Sequence, residues 1–174
     1  MNLQGKTVAI LVEDLYQDLE VWYPYYRLKE EGAKVITVGS GSKENYVGKY
    51  GYPVKADTEA SKVKVDEIDG IIIPGGFAPD MMRRHKAVIN LVQEAGRKGK
   101  VIASICHGGW VLCSTDLLKG KKATCFFAIK DDVINAGAKY VDQEVCVDGN
   151  LITSRMPDDL PAFMRETIKA LLSD

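Results

Sequence analysis

With 174 residues the chain fits one ordinary domain spanning 1–174, long enough to bury roughly two-thirds of its unfolded-state surface, so no disulfide or metal is needed to hold a core. Its formal net charge of -1 comes from 23 basic and 24 acidic side chains scattered along the chain, without the basic block that would follow a phosphate backbone, which excludes a nucleic-acid partner. The apolar run after Lys6 ends at Glu13 and Asp14, and no segment approaches the about 20 apolar residues of a membrane span, so a cytoplasmic protein without membrane contact is expected.

Short Val/Ile-rich runs alternate with segments of helical period, which predicts βαβ units and a parallel sheet. The first strand is KTVAILV, residues 6 to 12. Asp18 stands where an N-cap would sit, the following helix runs to Gly32 as its C′ residue, and Pro24 either kinks that helix or marks its true start. KVITVGS is the second strand, and NYVGKYGYPVKA, residues 45 to 56, reads as a small hairpin. GIIIPGG, residues 70 to 76, is a buried strand breaking into a Pro-Gly-Gly turn. HKAVINLVQEAGRKG then gives a helix, VIASI a strand and HGGWVLCSTDLL another helix, followed by KKATCF and IKDDVINAG. A hairpin with Asp148-Gly149 at its turn precedes a last amphipathic helix from about Pro157 to Leu172. There is no internal repeat, low-complexity tract or linker.

Cys106, Cys113, Cys125 and Cys146 include no C-x-x-C pair, and His85 and His107 offer no metal-ligand spacing, so reduced thiols and no metal are expected. The strand VIASI ends at Cys106, and ligands of open parallel sheets sit beyond the carboxyl ends of strands. Ser104 and Gly108 supply the small neighbours that a sharp strand-to-helix turn requires, making S-I-C-H-G a variant of the G-x-nucleophile-x-G elbow. At a helix N-terminus a thiolate is favoured, so a lowered Cys106 pKa is expected, with His107 as acid or base. The backbone amides of Gly75 and Gly76 form an oxyanion hole if they face the same crevice, and otherwise only make a turn. Cys113, Cys125 and Cys146 read as core, and His85 as a solvated or capping histidine.

These residues carry a wider pattern: A-x-I-C-H-G after one buried strand, P-G-G-x-A-P after another, the early EVWYPYYRLKEEG, the later IKDDVINAGAKYVD and the closing SRMPDDLPAFMRE. Over essentially its whole length the chain resembles the ThiJ/PfpI superfamily, and most closely its PfpI-type intracellular peptidase branch. The resemblance implies a flavodoxin-like three-layer α/β/α sandwich with a mostly parallel sheet, related to class I glutamine amidotransferases, and no cofactor. It assigns the reactive cysteine to Cys106, the following histidine to His107, and a glutamate that hydrogen-bonds to the sulfur to Glu20. Such a carboxyl must be protonated to donate, so its pKa is expected to be raised.

Two positions depart from that pattern. The acid that reaches a neighbouring subunit's histidine to complete a triad is here Asp80, one methylene shorter than the family's glutamate, and another acid of the closest relatives is replaced by Gln17. The resemblance implies a cysteine hydrolase or lyase acting on a small carbonyl or a peptide/acyl substrate, as intracellular peptidase/amidase or as glutathione-independent glyoxalase or protein deglycase. The alternative is a redox-responsive stress protein whose elbow cysteine is oxidised without turnover. A glutamine amidotransferase is disfavoured, because no second histidine with a following x-Glu appears after the elbow. The family comparison also implies a homodimer or hexamer with the active site near the subunit interface, for which Tyr16, Trp22, Tyr23, Tyr25 and Tyr26 offer aromatic surface, although some of them must instead pack on the sheet.

Overall fold

The computed structural model describes residues 2–173. In chain order its elements are β1 (Thr7–Val12), α1 (Asp18–Glu30), β2 (Lys34–Gly39), β3 (Asn45–Val47), β4 (Pro53–Lys55), β5 (Thr58–Glu59), β6 (Gly70–Ile73), α2 (Ala78–Met82), α3 (Lys86–Arg97), β7 (Val101–Ile105), α4 (Gly109–Cys113), β8 (Lys122–Ala123), α5 (Lys130–Asn135), β9 (Lys139–Tyr140), β10 (Val145–Asp148), β11 (Leu151–Ser154) and α6 (Leu160–Leu172). Seven strands form one sheet in the order β10-β11-β7-β6-β1-β2-β5, parallel except for β10, which pairs antiparallel with β11. This is the α/β architecture expected from the alternating pattern.

The connection from β1 to β2 moves toward one edge of the sheet and that from β6 to β7 toward the other. Right-handed crossovers therefore put α1 and α3 on opposite faces. Helix α6 returns to pack on α1, completing three layers. Every residue of β6 and β7 is buried, which is why those strands read as unbroken apolar runs rather than alternating ones. The carboxyl ends of β1, β6 and β7 lie side by side and include the place where the direction of winding reverses, the usual location of a ligand crevice. Among the described residues no helix is long and apolar enough to cross a membrane, and no group of three or more His, Cys, Asp and Glu side chains is placed to hold a metal ion.

Several local expectations change. Gln17, not Asp18, caps α1: its side-chain oxygen accepts the Glu20 N–H at 3.2 Å. Asp18 instead turns outward and accepts the N–H groups of Tyr50 (2.9 Å) and Tyr52 (3.1 Å), tying the β3-β4 turn to the helix start. Pro24 lies buried within α1 and does not begin it, while Gly32 takes φ +92 just past the helix end. The helix after the elbow stops at Cys113, because Thr115 folds its hydroxyl back onto the Leu112 carbonyl (2.7 Å) and Gln93 takes the Asp116 N–H (2.9 Å). Cys125 and Cys146 are buried as expected, whereas Cys113 is half-buried. His85 occupies the N-cap position of α3 but makes no side-chain capping bond. Tyr16 is not surface at all: it is fully buried and its hydroxyl donates to the Tyr52 carbonyl.

Candidate active site

Strand β7 ends in a single 3₁₀ turn, Cys106–Gly108, that leads into α4. Cys106 sits at the junction with φ +60, a left-handed conformation that costs a side-chain-bearing residue roughly 1–2 kcal/mol and persists only where surroundings hold it. Gly108 makes that turn possible, since a Cβ there would lie 2.5 Å from the Ile73 carbonyl and 2.7 Å from the Ser104 hydroxyl. Gly75 is equally constrained: a Cβ would meet Cys106 Cβ and Glu20 Oε2, both at 2.7 Å. The elbow and the Pro-Gly-Gly turn are thus two surfaces of one close contact, with the Glu20 carboxyl between them.

Glu20 projects from the first turn of α1 and is fully buried. Its Oε2 accepts the Gly75 N–H at 2.6 Å, and its other oxygen, also buried, makes no further well-formed hydrogen bond. The Cys106 side chain is the carboxyl's remaining polar neighbour. Burial pushes the Glu20 carboxyl up to about 7, against the opposing pull of the Gly75 N–H, so the neutral acid persists to neutral pH as expected. The Gly75 N–H is consequently engaged, whereas the Gly76 and His107 N–H groups both point at the sulfur. Gly76 takes φ +77 and is held by an antiparallel bridge to Tyr16.

Contrary to expectation, the Cys106 thiol is not lowered. Burial is the larger cause and the Glu20 charge the second, together pushing it up to about 12 despite the His107 and Gly76 N–H groups. The five residues of α4 offer little dipole to offset this. Burial also raises the thiols of Cys113, Cys125 and Cys146, so direction alone does not single out Cys106. What distinguishes it is company: two N–H donors and a carboxyl able to keep its proton. Thiol and carboxyl form one titrating pair, and thiolate beside neutral carboxyl is the arrangement in which the second cause vanishes.

His107 Nδ1 lies 3.3 Å from the sulfur. Its ring stacks on Phe126 (centroids 4.9 Å) and meets the edge of Trp110 (5.1 Å). Burial, and then the charge of Lys49, hold the imidazole below its usual range, so it is neutral at pH 7. Among the described residues His107 has no carboxylate partner, and Asp80 is engaged on α2 by Arg84. Cys106, His107, Glu20 and Gly76 therefore meet in one cluster, while Asp80 does not join them among the described residues.

Phe126, Trp110 and Lys49 were not singled out in the sequence. Phe126 had a usable signal in the C-F-F run after the elbow, but Lys49 reaches the site only through the β3-β4 turn, which no local pattern places there.

A family model described as the DJ-1/PfpI family matches residues 6–170. "Deglycase PfpI" of Pyrococcus furiosus is 43% identical over 94% of this chain and 98% of its own length. "Putative cysteine protease YraA" of Bacillus subtilis is 41% identical over 96% and 99%. Among solved structures, a two-domain protein of Anabaena variabilis containing DJ-1/ThiJ/PfpI-like and ferritin-like domains superimposes with a TM-score of 0.94 at 46% identity, over 96% of this chain and 48% of the larger one.

Proposed function

The chain belongs to the DJ-1/PfpI family, and on that premise we propose that it is a cysteine-dependent enzyme of the deglycase/peptidase type, acting on small carbonyl or peptide/acyl substrates. Cys106 is the nucleophile: its sulfur bonds to the carbonyl carbon, and the carbonyl π electrons move onto oxygen. The Gly76 and His107 N–H groups, which face the sulfur in the free protein, receive the developing oxyanion. His107, neutral and 3.3 Å from the sulfur, moves protons between the thiol and the substrate oxygen or leaving group. Glu20 keeps its proton beside the sulfur and so removes the charge that would otherwise oppose the thiolate.

The observation that carries this reading is the left-handed Cys106 wedged against Gly75 and Glu20, a strained placement that packing alone does not call for. That no carboxylate among the described residues partners His107 supports a second copy supplying Asp80 to orient it, in a homodimer or a hexamer. The exposed rings of Tyr23 and Tyr26, with the half-buried Trp22 and Tyr25, are the aromatic surface available for that association.

Parallel assays of methylglyoxal turnover and fluorogenic-peptide hydrolysis test the reading, run on the parent and on Cys106→Ser. At least one activity is expected in the parent and neither in the variant. A serine variant as active as the parent overturns the assignment, and so does an inactive parent whose Cys106 selectively gains oxygen under mild peroxide, which is the redox-protein outcome.

A further inference from the structure

The segment Leu15–Gln17, which turns at Leu15 (φ +60) and bridges to Gly76 through Tyr16, connects β1 to α1 beside the Pro-Gly-Gly turn. On one side it bonds to the Pro-Gly-Gly turn, through Gln17 N–H to the Gly75 carbonyl (3.1 Å) and Phe77 N–H to the Leu15 carbonyl (2.9 Å). On the other it bonds to the β3-β4 turn, through Leu15 N–H to the Val47 carbonyl and Lys49 N–H to the Tyr16 carbonyl, both 2.8 Å. Lys49 is thereby placed two backbone spacings, about 10 Å, from Gly76, whose N–H faces the Cys106 sulfur. The turn that carries it is pinned by Asp18 and closed by Gly48 N–H to the Tyr52 carbonyl at 2.8 Å.

The Lys49 side chain is exposed, with Nζ 5.5 Å from the Tyr50 ring centroid. Among the described residues it makes no ion pair. Of the nearby acids, Asp14 pairs with Lys43 at 2.5 Å, while Asp18 accepts the Tyr50 and Tyr52 N–H groups of the turn that carries Lys49 and keeps its charge. Its charge nevertheless reaches inward, acting on both Glu20 and His107. A cation without an ion pair among the described residues, held by its backbone near the sulfur-facing N–H of Gly76, favours ligands that bring a negative charge.

We infer that Lys49 is a specificity-determining residue that holds a carboxylate of the substrate, so that the preferred substrates are carboxylate-bearing aldehydes or peptides whose free terminal carboxylate lies close to the reacting carbonyl. The inference rests on the reading of Cys106 as the nucleophile. Lys49 takes no part in bond making. It discriminates among substrates by charge.

The test compares alkylation of Cys106 by iodoacetate and iodoacetamide, read by peptide mass spectrometry. In both reactions the thiolate forms a C–S bond and iodide leaves, and the two reagents are close in size but differ in charge. The iodoacetate-to-iodoacetamide rate ratio is expected to fall roughly fivefold in Lys49→Met, further in Lys49→Glu, and to return in Lys49→Arg. Taking the ratio cancels any change in thiolate fraction that the substitution causes. A ratio unchanged in Lys49→Met and Lys49→Glu overturns the proposal, as does failure of Lys49→Arg to restore it. For turnover, succinic semialdehyde is set against butanal, and the preference for the anionic aldehyde is expected to fall in Lys49→Met through KM. A parent inactive on every carbonyl but with the alkylation ratio still dependent on Lys49 removes the enzymatic reading and leaves the anion recognition standing.

Discussion

At the amino ends of the central strands, Asp69 accepts the Thr7 N–H at 2.7 Å and pairs with Lys6 at 3.5 Å, while the Asn150 amide donates to the carbonyls of Gly96 (3.1 Å) and Lys100 (2.8 Å). At the carboxyl ends of the same sheet, Leu15 and Cys106 both take φ +60, one oxygen of Glu20 is buried without a well-formed hydrogen bond, and Lys49 has no ion pair among the described residues. One edge closes its loops by satisfying backbone groups with side chains. The other holds strained backbone and groups whose protonation is contested. The contrast teaches where stability is spent in this fold, since strain and incomplete pairing are tolerated where a reacting group has to be exposed to its chemistry.

The largest effect expected at the carboxyl edge is on activity. Cys106→Ser should lose at least about 10³-fold in kcat/KM on whichever carbonyl the parent turns over, because a serine hydroxyl ionises far less readily in this pocket. Retained activity would place the chemistry away from this edge altogether.

Glu20 sharpens the comparison through pH. Its folded-state pKa of about 7 lies above the ordinary 4.5, so the native state binds the proton more tightly than the unfolded chain. Its contribution is fully present below about 4.5 and is lost as pH rises through about 7, for at most about 3 kcal/mol. Glu20→Gln should remove that dependence and be more stable than the parent at pH 8 by up to that amount, measured by urea unfolding across pH. In the parent, alkylation of Cys106 should stay slow at neutral pH and rise only toward about 12, where burial and then the Glu20 charge have pushed the thiol. In Glu20→Gln a single transition is expected below about 12 but above the free-thiol range, since burial remains and the charge of Glu20 is gone.

The amino edge should answer in the opposite way. Asn150→Ala removes two hydrogen bonds to carbonyls and should cost about 1–3 kcal/mol in urea unfolding while leaving the alkylation profile of Cys106 unchanged. A shifted profile would mean that the two edges are coupled. The smallest effect belongs to His85→Ala on α3, whose side chain makes no capping bond and whose removal should stay within about 0.5 kcal/mol.

Much of this was readable along the chain. The elbow follows from Ser104, Cys106 and Gly108, because only small neighbours fit so sharp a turn, and the unbroken apolar runs of β6 and β7 announce strands covered on both faces. The sequence failed where partners come from far away. Asp18 has the composition of an N-cap, yet the β3-β4 turn claims its carboxylate and Gln17 takes the cap instead. Tyr16 belongs to an aromatic-rich stretch that reads as surface, but its ring is enclosed and its hydroxyl reaches Tyr52. Gly75 was a fair choice for an oxyanion donor until the Glu20 carboxyl, 55 residues earlier, proved to occupy its N–H.

By itself the sequence determined the order of strands and helices, the elbow with Cys106 and His107, and the likeness that assigns Glu20 to the sulfur. Those depend on period, side-chain size and turn chemistry within a few residues. Tertiary structure alone decided the electrostatics: which N–H faces the sulfur, which is taken by Glu20, the upward shift of the thiol and the approach of Lys49. Burial and charge act through space, so they are set by what the fold gathers around a group rather than by its neighbours along the chain.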